Sequence, residues 1–167
     1  MSIEHDVPLA PRTTLLLGGH ARHLVTAHDD ATVSEALRFA RAQALPVLVL
    51  GGGSNMLVSD AGFDGVVIAM AQRGIEFSVR GSVARLCAAA GEPWDALVAM
   101  TVERDLAGLE CLSGIPGLVG ATPIQNVGAY GQEVAHCISS VRVLDRKTLR
   151  VSEIDAGDCG FDYRSSA

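Results

Sequence analysis

The chain has 167 residues, of which 49% are apolar and 19% are charged, and its formal net charge is −6. This composition excludes a disordered chain and provides enough apolar side chains for one ordinary domain or two small ones. Lys147 is the only lysine and there is no run of basic residues, so the basic patch that binds nucleic acid or an anionic membrane is absent. No segment approaches the run of about 18 apolar residues that spans a membrane. We therefore expect neither a nucleic-acid nor a membrane partner.

The cysteines and histidines favour neither a metal site nor a disulfide scaffold. The four cysteines lie at least 22 residues apart and form no C-x-x-C pair: Cys87, Cys111, Cys137 and Cys159. Isolated thiols of this kind are typical of a reducing compartment. The five histidines form no H-x-x-x-H pair. The first residues lack the basic and apolar regions of a signal peptide, so we expect a cytoplasmic protein without a metal ion.

In chain order, the first 71 residues predict a compact β-α-β unit. Residues 24–27 form a short strand, and residues 32–35 match the capping box that opens a helix. We place Asp29 and Asp30 in a solvated turn before that helix. Apolar residues then recur at helical spacing and make one face of the helix: Val33, Ala36, Leu37, Ala40 and Ala44.

Pro46 ends the predicted helix, and residues 47–50 form an apolar run typical of a buried parallel strand. A second, strand-like run follows at residues 56–58. A turn at residues 60–65 then leads into another strand at residues 66–69.

Residues 72–167 predict a second unit with two hairpins and one helix. A helix begins after Pro93, which a first helical turn tolerates, and runs to about Arg104. The hairpins pair residues 77–79 with 83–89 and residues 141–144 with 149–154.

Five residues that follow the predicted strand 47–50 are candidates for phosphate binding: Gly51, Gly52, Gly53, Ser54 and Asn55. Successive glycine N–H groups can converge into a concave nest for an anion. The segment is not the dinucleotide fingerprint G-x-G-x-x-G, because Met56 occupies the sixth position and a strand-like run follows. A tight turn between strands explains the same residues equally well.

Residues 112–131 form an uncharged segment with two prolines and five glycines. It cannot be a regular helix or strand, and because it is uncharged and contains several aliphatic residues it cannot be an ordinary solvated loop. Its buried N–H and C=O groups need partners, which a ligand rich in acceptors would provide. The alternative is a core loop whose backbone groups are hydrogen-bonded within its own turns.

Near the end of the chain, residues 161–164 place Arg164 beside Tyr163. This arginine could bind a carboxylate or phosphate, although the four residues alone favour a surface arginine.

Taken in order, these segments resemble the UDP-N-acetylenolpyruvoylglucosamine reductase family over nearly the whole chain. Agreement is sharpest at residues 46–55, 112–133 and 158–166. The resemblance implies an α+β fold with two FAD-binding subdomains of the vanillyl-alcohol-oxidase type. Residues 1–71 would form the first subdomain and residues 72–167 the second, incomplete one, without the family's later substrate domain.

The resemblance also implies the chemistry. The family uses NADPH to reduce FAD, which passes hydride to UDP-N-acetylglucosamine enolpyruvate and gives UDP-N-acetylmuramate for peptidoglycan synthesis. The expected partner is therefore a small UDP-sugar enolpyruvyl ether, with no obligate protein partner. Carried over by motif, Gly51, Gly52, Gly53, Ser54 and Asn55 would hold the FAD pyrophosphate. The flavin would be lined by Ser113, Gly114, Ile115, Gly117, Gly120, Ala121, Thr122, Gln125 and Asn126. Tyr130, Tyr163 and Arg164 would face the substrate, with the Arg164 guanidinium stabilising the developing enolate.

This sequence departs from the family pattern in two ways. Residues 15–17 are three leucines before Gly18-Gly19, where the family commonly has a small residue, so close backbone approach there is in question. The family's serine proton donor and a helping glutamate lie in a later domain, so we expect that residues 1–167 alone do not complete the reaction. Two alternatives stay open: an FAD- or nucleotide-binding module completed by a partner chain, and an α+β interaction domain with structural glycines.

Overall fold

The computed structural model describes all 167 residues, and its contacts divide them into two compact units, Met1–Gln72 and Arg73–Ala167. Each unit has its own buried apolar cluster. No helix has the length and apolar character needed to cross a membrane.

The first unit is built on a four-stranded sheet in the order β1-β2-β4-β3. Its strands are β1 (Glu4–Pro8), β2 (His20–Ala27), β3 (Val47–Leu50) and β4 (Phe63–Met70). Strands β2 and β3 both run parallel to β4, and β1 runs antiparallel to β2. The prediction of β3 as a parallel strand is confirmed, but its predicted burial is wrong, because β3 lies at the edge of the sheet and Val49 is 47% exposed. The predicted strands 24–27 and 66–69 are parts of longer ones. Strand β1 was not predicted, and its side chains are mostly exposed and polar.

The helix of this unit, α1 (Asp30–Ala42), begins at Asp30, which was predicted to lie with Asp29 in a solvated turn before the helix. Asp29 is in fact its N-cap, and its carboxylate accepts a hydrogen bond of 2.7 Å from the Thr32 N–H. The prediction that the helix opens at residue 32 is therefore wrong, because aspartate caps a helix at least as well as threonine does. Ala44 lies beyond the helix, exposed and with a φ of +52°. The predicted apolar face is otherwise buried: Val33, Ala36, Leu37 and Ala40.

The predicted strand-like run at residues 56–58 is also wrong, because these residues form no strand. Met56 and Val58 pack against the buried cluster of the first unit, whereas Leu57 between them is 74% exposed. These side chains alternate between inward and outward as in a strand, but no neighbouring strand pairs with them. The predicted turn before β4 is shorter than expected, since the strand begins at Phe63.

The second unit contains the predicted helix and both predicted hairpins. Its helix packs Trp94, Leu97 and Val98 against Leu112 and other residues of the glycine-rich segment. The Trp94 indole donates a buried hydrogen bond of 3.0 Å to the Leu112 carbonyl oxygen, so helix and segment are joined by a polar as well as an apolar contact. The elements are β5 (Ile75–Arg80), β6 (Val83–Ala88), α2 (Trp94–Val102), β7 (Gly128–Ala129), β8 (Gln132–Glu133), β9 (Ser140–Leu144) and β10 (Val151–Asp155).

Candidate functional site

The glycine segment 51–55 follows directly on β3, at the carboxyl end of a parallel strand. Open α/β sheets bind ligands at this end of their strands. Gly53 has a φ of +67°, and a Cβ there would lie 2.1 Å from the Arg12 carbonyl oxygen. The Thr14 N–H also donates to the Gly53 carbonyl oxygen at 3.1 Å. Gly53 is thus required by close backbone packing, while Gly52 and Asn55 are exposed.

The loop that carries the three leucines lies against residues 58–62. A Cβ on Gly18 would come within 2.7 Å of the Val58 Cβ, and one on Gly19 within 2.2 Å of the Asp60 carbonyl oxygen. The two glycines therefore keep a close approach to the protein's own backbone despite the preceding leucines. Those leucines point into solvent, with Leu16 being 70% exposed.

In the second unit, the glycine-rich segment lies along the residues that lead into α2. The N–H groups of Val119 and Gly120 donate to the carbonyl oxygens of Glu92 and Ala90, each at 2.9 Å. In return the Trp94 N–H donates to the Gly117 carbonyl oxygen at 3.0 Å. These protein groups supply part of the hydrogen bonding that the sequence analysis had assigned to a ligand.

Asp95, in the first turn of α2, holds the beginning of the segment. Its Oδ1 atom accepts hydrogen bonds from the Ser113 hydroxyl at 3.2 Å and from the Gly114 N–H at 2.6 Å. Gly114 has a φ of +78°, and no atom lies within 4 Å of the position that a Cβ would take. The backbone is therefore fixed on one side and open on the other. Asp95 was not among the predicted site residues, and only its place at a helix start could have indicated it.

The remaining predicted flavin-lining residues differ in accessibility. Thr122 and Asn126 are buried, and the Thr122 hydroxyl donates to the Val119 carbonyl oxygen at 2.8 Å. The others are partly buried: Ile115, Gly117, Gly120, Ala121 and Gln125. A Cβ on Gly120 would lie 2.6 Å from the Ala90 Cβ, so this glycine also has a packing role.

The Asn126 side chain is 1% exposed and bonds to three residues in two parts of the second unit. Its Nδ2 atom donates to a Glu133 carboxylate oxygen at 2.8 Å and to the Asp162 carbonyl oxygen at 3.1 Å. Its Oδ1 atom accepts from the Ala135 N–H at 3.2 Å. Both donor hydrogens and the acceptor are thus used within the protein.

The predicted substrate residues lie around a small hairpin. Strands β7 and β8 are joined by Tyr130 and Gly131, both with positive φ, as a two-residue hairpin turn of type I′ requires. The Arg164 guanidinium donates to the Gly128 carbonyl oxygen at 2.6 Å and lies 5.5 Å from the centre of the Tyr163 ring. Tyr130 and Tyr163 are 92% and 77% exposed. The structure therefore brings Arg164 to the hairpin that carries Tyr130.

Two other groups of titratable residues lie outside the predicted site. The Cys137 thiol donates to the Gly108 carbonyl oxygen, and its pKa is raised by burial and, to a lesser extent, by Glu110. It is therefore protonated at neutral pH and poorly suited to act as a nucleophile. In the first unit the Nδ1 atoms of His5 and His23 lie 3.0 Å apart, and the pKa of His23 is lowered by burial and then by His5. The structure contains no group of three or more His, Cys, Asp or Glu residues that could hold a metal ion.

A family model described as "FAD binding domain" matches residues 21–151 of the chain. A curated UDP-N-acetylenolpyruvoylglucosamine reductase from Saccharopolyspora erythraea is 55% identical over 159 residues, which are 95% of this chain and 43% of that protein. The first curated relatives carry the same name, and this chain spans between 41% and 47% of their length.

The solved structure of the UDP-N-acetylenolpyruvylglucosamine reductase from Thermus caldophilus is 30% identical, with a TM-score of 0.77 over 99% of this chain and 57% of that one. The 6-hydroxy-D-nicotine oxidase from Arthrobacter nicotinovorans is 19% identical, with a TM-score of 0.68 over 94% of this chain and 36% of that one, and shows a shared fold alone. These comparisons confirm the resemblance to the reductases and the predicted two-part FAD-binding fold.

Proposed function

Because this chain belongs to the FAD-binding domain family, we propose that it holds FAD for the reduction of UDP-N-acetylenolpyruvoylglucosamine. The observation that carries the proposal is the open backbone at Gly114, which Asp95 fixes from one side while the other side faces free space. A flat ring system with several hydrogen-bond acceptors can lie directly against such a backbone. The high identity to curated reductases supports the choice of substrate.

The residues of the chain fit the proposed cofactor. At Gly52, which is exposed, the backbone can approach an anion without a side chain between them, and this segment stands at the carboxyl end of β3. We assign the FAD pyrophosphate to this segment and the flavin ring to the backbone of residues 113–121. When bound, FAD supplies the hydride for the enolpyruvyl double bond, and we propose NADPH as the source of that hydride.

Arg164 is the residue of this chain that we assign to the substrate. Hydride addition places negative charge on the carbon next to the substrate carboxylate, and a planar guanidinium can bind that carboxylate with two parallel hydrogen bonds. The bond from Arg164 to the Gly128 carbonyl oxygen uses one nitrogen and orients the rest of the group. We place the exposed rings of Tyr130 and Tyr163 beside the sugar nucleotide. The proton for the second carbon we assign to the part of the reductases that this chain does not span.

The pyrophosphate assignment is tested by Gly52→Val. The added side chain blocks close approach of the phosphates, so purified protein should retain at least tenfold less FAD, a loss of about 1.4 kcal/mol or more of binding free energy. Gly157→Val is the matched control, since no atom lies within 4 Å of its Cβ position and its φ is not positive. Flavin absorbance per protein molecule is the measurement, and far-UV circular dichroism checks the fold. Full flavin content in Gly52→Val would contradict the assignment.

The role of Arg164 is tested by Arg164→Lys in the complete reductase. Lysine keeps the charge but loses the planar fork, so reduction of the enolpyruvyl substrate should fall by about tenfold or more, which is about 1.4 kcal/mol of transition-state stabilisation. Flavin content and flavin reduction by NADPH should be unchanged. Stopped-flow absorbance resolves the two half-reactions, with Arg80→Lys at the end of β5 as control. A variant that loses its flavin would instead make Arg164 a cofactor residue.

A further inference from the structure

We propose that Asn126 is a positioning residue for substrate reduction and does not bind the flavin through its side chain. Asn126 holds the turn of residues 162–165 against the β7–β8 hairpin and so places the Arg164 guanidinium. The inference rests on the proposed function, because it assumes that Arg164 acts on the substrate.

The three hydrogen bonds of the Asn126 side chain connect residues that are distant in sequence. Its partners Glu133, Ala135 and Asp162 lie 7, 9 and 36 residues away. Only an uncharged amide can donate to a carboxylate and a carbonyl oxygen while also accepting from an N–H group. The side chain is almost fully buried, so an unmade bond at this position would not be replaced by water.

The backbone at Asn126 supports the same conclusion. Its φ of +39° lies on the left-handed side, where asparagine is tolerated better than most other residues with a side chain. Its acceptor Glu133 is itself oriented, since the Glu133 carboxylate accepts from the His136 N–H at the start of the next turn. The amide is thus held between a fixed carboxylate and the Asp162 carbonyl oxygen.

The Asp162 carbonyl oxygen is two residues from the proposed substrate residue. Asp162 and Ser165 exchange backbone hydrogen bonds of 3.1 Å, and the Asp162 carboxylate accepts from the Tyr163 N–H at 2.7 Å. These bonds make residues 162–165 a closed turn. Asn126 holds the base of this turn, and the bond from Arg164 to Gly128 holds its tip. Loss of the Asn126 contact therefore displaces the guanidinium while leaving the glycine backbone beside Asp95 in place.

The variant that tests this is Asn126→Asp in the FAD-loaded, full-length reductase. It has nearly the same shape, but it places a carboxylate 2.8 Å from that of Glu133 and cannot donate to Asp162 when ionised. Two carboxylates this close share a proton, and the pKa of the pair rises. At neutral pH we expect substrate reduction to fall by about tenfold or more, with flavin content and flavin reduction by NADPH unchanged.

The pH profile separates positioning from a general structural role. As the pH falls until both carboxyl groups are protonated, the new carboxyl group can again donate to the Asp162 carbonyl oxygen, so Asn126→Asp should regain activity relative to the wild-type enzyme. The double variant Asn126→Asp/Glu133→Gln removes the charge repulsion at position 133 but not the loss of the Asp162 contact, so only part of the activity should return at neutral pH. Gln43→Glu, an amide-to-acid change in the other unit, should show neither the loss of activity at neutral pH nor the recovery at lower pH. Parallel pH profiles, or loss of flavin in Asn126→Asp, would overturn the proposal.

A second measurement does not depend on activity. Trypsin cleaves after Arg164 only when the turn 162–165 opens, so Asn126→Asp should be cleaved there about tenfold faster than wild type at neutral pH. Mass spectrometry identifies the fragment, and cleavage after Arg80 serves as the internal reference. If the wild-type enzyme does not reduce the enolpyruvyl substrate, the proposed function fails and this measurement still tests the contact. Equal cleavage rates after Arg164 would overturn the role of Asn126.

Discussion

At Gly53 the chain runs so close to Arg12 and Thr13 that even a methyl group has no room. The position of its Cβ would be 2.1 Å from a carbonyl oxygen and 2.9 Å from the Thr13 Cα, both backbone atoms. Such atoms cannot move aside as the end of a flexible side chain can. Because Gly53 has a hydrogen atom where other residues have a side chain, the glycine segment and the loop after residue 12 can pack against each other.

Gly53→Ala should lower the free energy of unfolding by more than the strain of a positive φ alone. Gly81→Ala is the matched control, because Gly81 has a similar φ of +60° but no atom within 4 Å. We expect a loss of about 1 kcal/mol for the control and about 2 kcal/mol more for Gly53→Ala, from overpacking. Urea denaturation measures both variants. Equal losses of unfolding free energy in the two variants would show that the backbone at Arg12 moves aside at no energetic cost.

Asp95 and Asn126 each hold loops in place through hydrogen bonds, but with different chemical groups and different burial. Asp95 is exposed and holds two groups of the glycine-rich segment with one charged oxygen, whereas Asn126 is buried and holds two other segments with a neutral amide. The first fixes the backbone assigned to the flavin. The second fixes the turn that carries the residue assigned to the substrate.

At the scale of elements, α1 shows how one terminal residue sets the start of a helix. The Asp29 carboxylate accepts from the backbone N–H and the hydroxyl of Thr32, and these bonds lower the pKa of Asp29. Asp30 adds a second negative charge in the first turn, which interacts favourably with the helix dipole. The helix then places four residues of one face against the sheet of the first unit.

The lowered pKa of Asp29 predicts a pH dependence of stability. A carboxyl group whose pKa is lower in the folded than in the unfolded state stabilises the fold above its unfolded pKa, and that stabilisation is lost as the pH falls through its folded pKa. Asp29→Asn keeps a cap that does not titrate. Wild type should therefore be more stable than Asp29→Asn at pH 7, and the difference should shrink below about pH 4. Urea denaturation at several pH values measures the difference in free energy of unfolding between the two proteins. A difference that does not change with pH would contradict the capping role of the Asp29 carboxylate.

For the whole molecule, each of the two units carries its own assigned segments. Met1–Gln72 contains the segment assigned to the pyrophosphate, and Arg73–Ala167 contains the segments assigned to the flavin ring and the substrate. A ligand that binds the folded but not the unfolded chain stabilises it by mass action. FAD has the group assigned to the first unit, whereas riboflavin has the ring system without the pyrophosphate.

FAD should accordingly raise the melting temperature of the protein more than riboflavin does. At a hundredfold excess over its dissociation constant, FAD should add about 2.7 kcal/mol to the free energy of unfolding. Riboflavin at the same concentration should add less, and Gly52→Val should remove most of the difference. Differential scanning calorimetry of the FAD-free protein is the measurement. Equal shifts for both ligands would contradict the pyrophosphate assignment.

Much of this protein could be predicted from local sequence pattern. The apolar run of β3, the turns of the two larger hairpins and the spacing of Trp94, Leu97 and Val98 each depend on neighbours within a few residues, and the structure confirms them. The resemblance to the reductases also came from contiguous motifs, which is why the comparisons confirm it. Short-range periodicity and uninterrupted motifs can be seen in a single chain.

Tertiary structure decided which of the candidate residues have side chains available to a ligand. Asn126 stands in a motif that predicted flavin contact, yet its amide is occupied by partners up to 36 residues away. Asp95 carried no motif and holds the beginning of the glycine-rich segment from 18 and 19 residues away. A hydrogen bond depends on the distance and direction between two atoms, and neither follows from residue identity when a folded chain must first bring distant residues together.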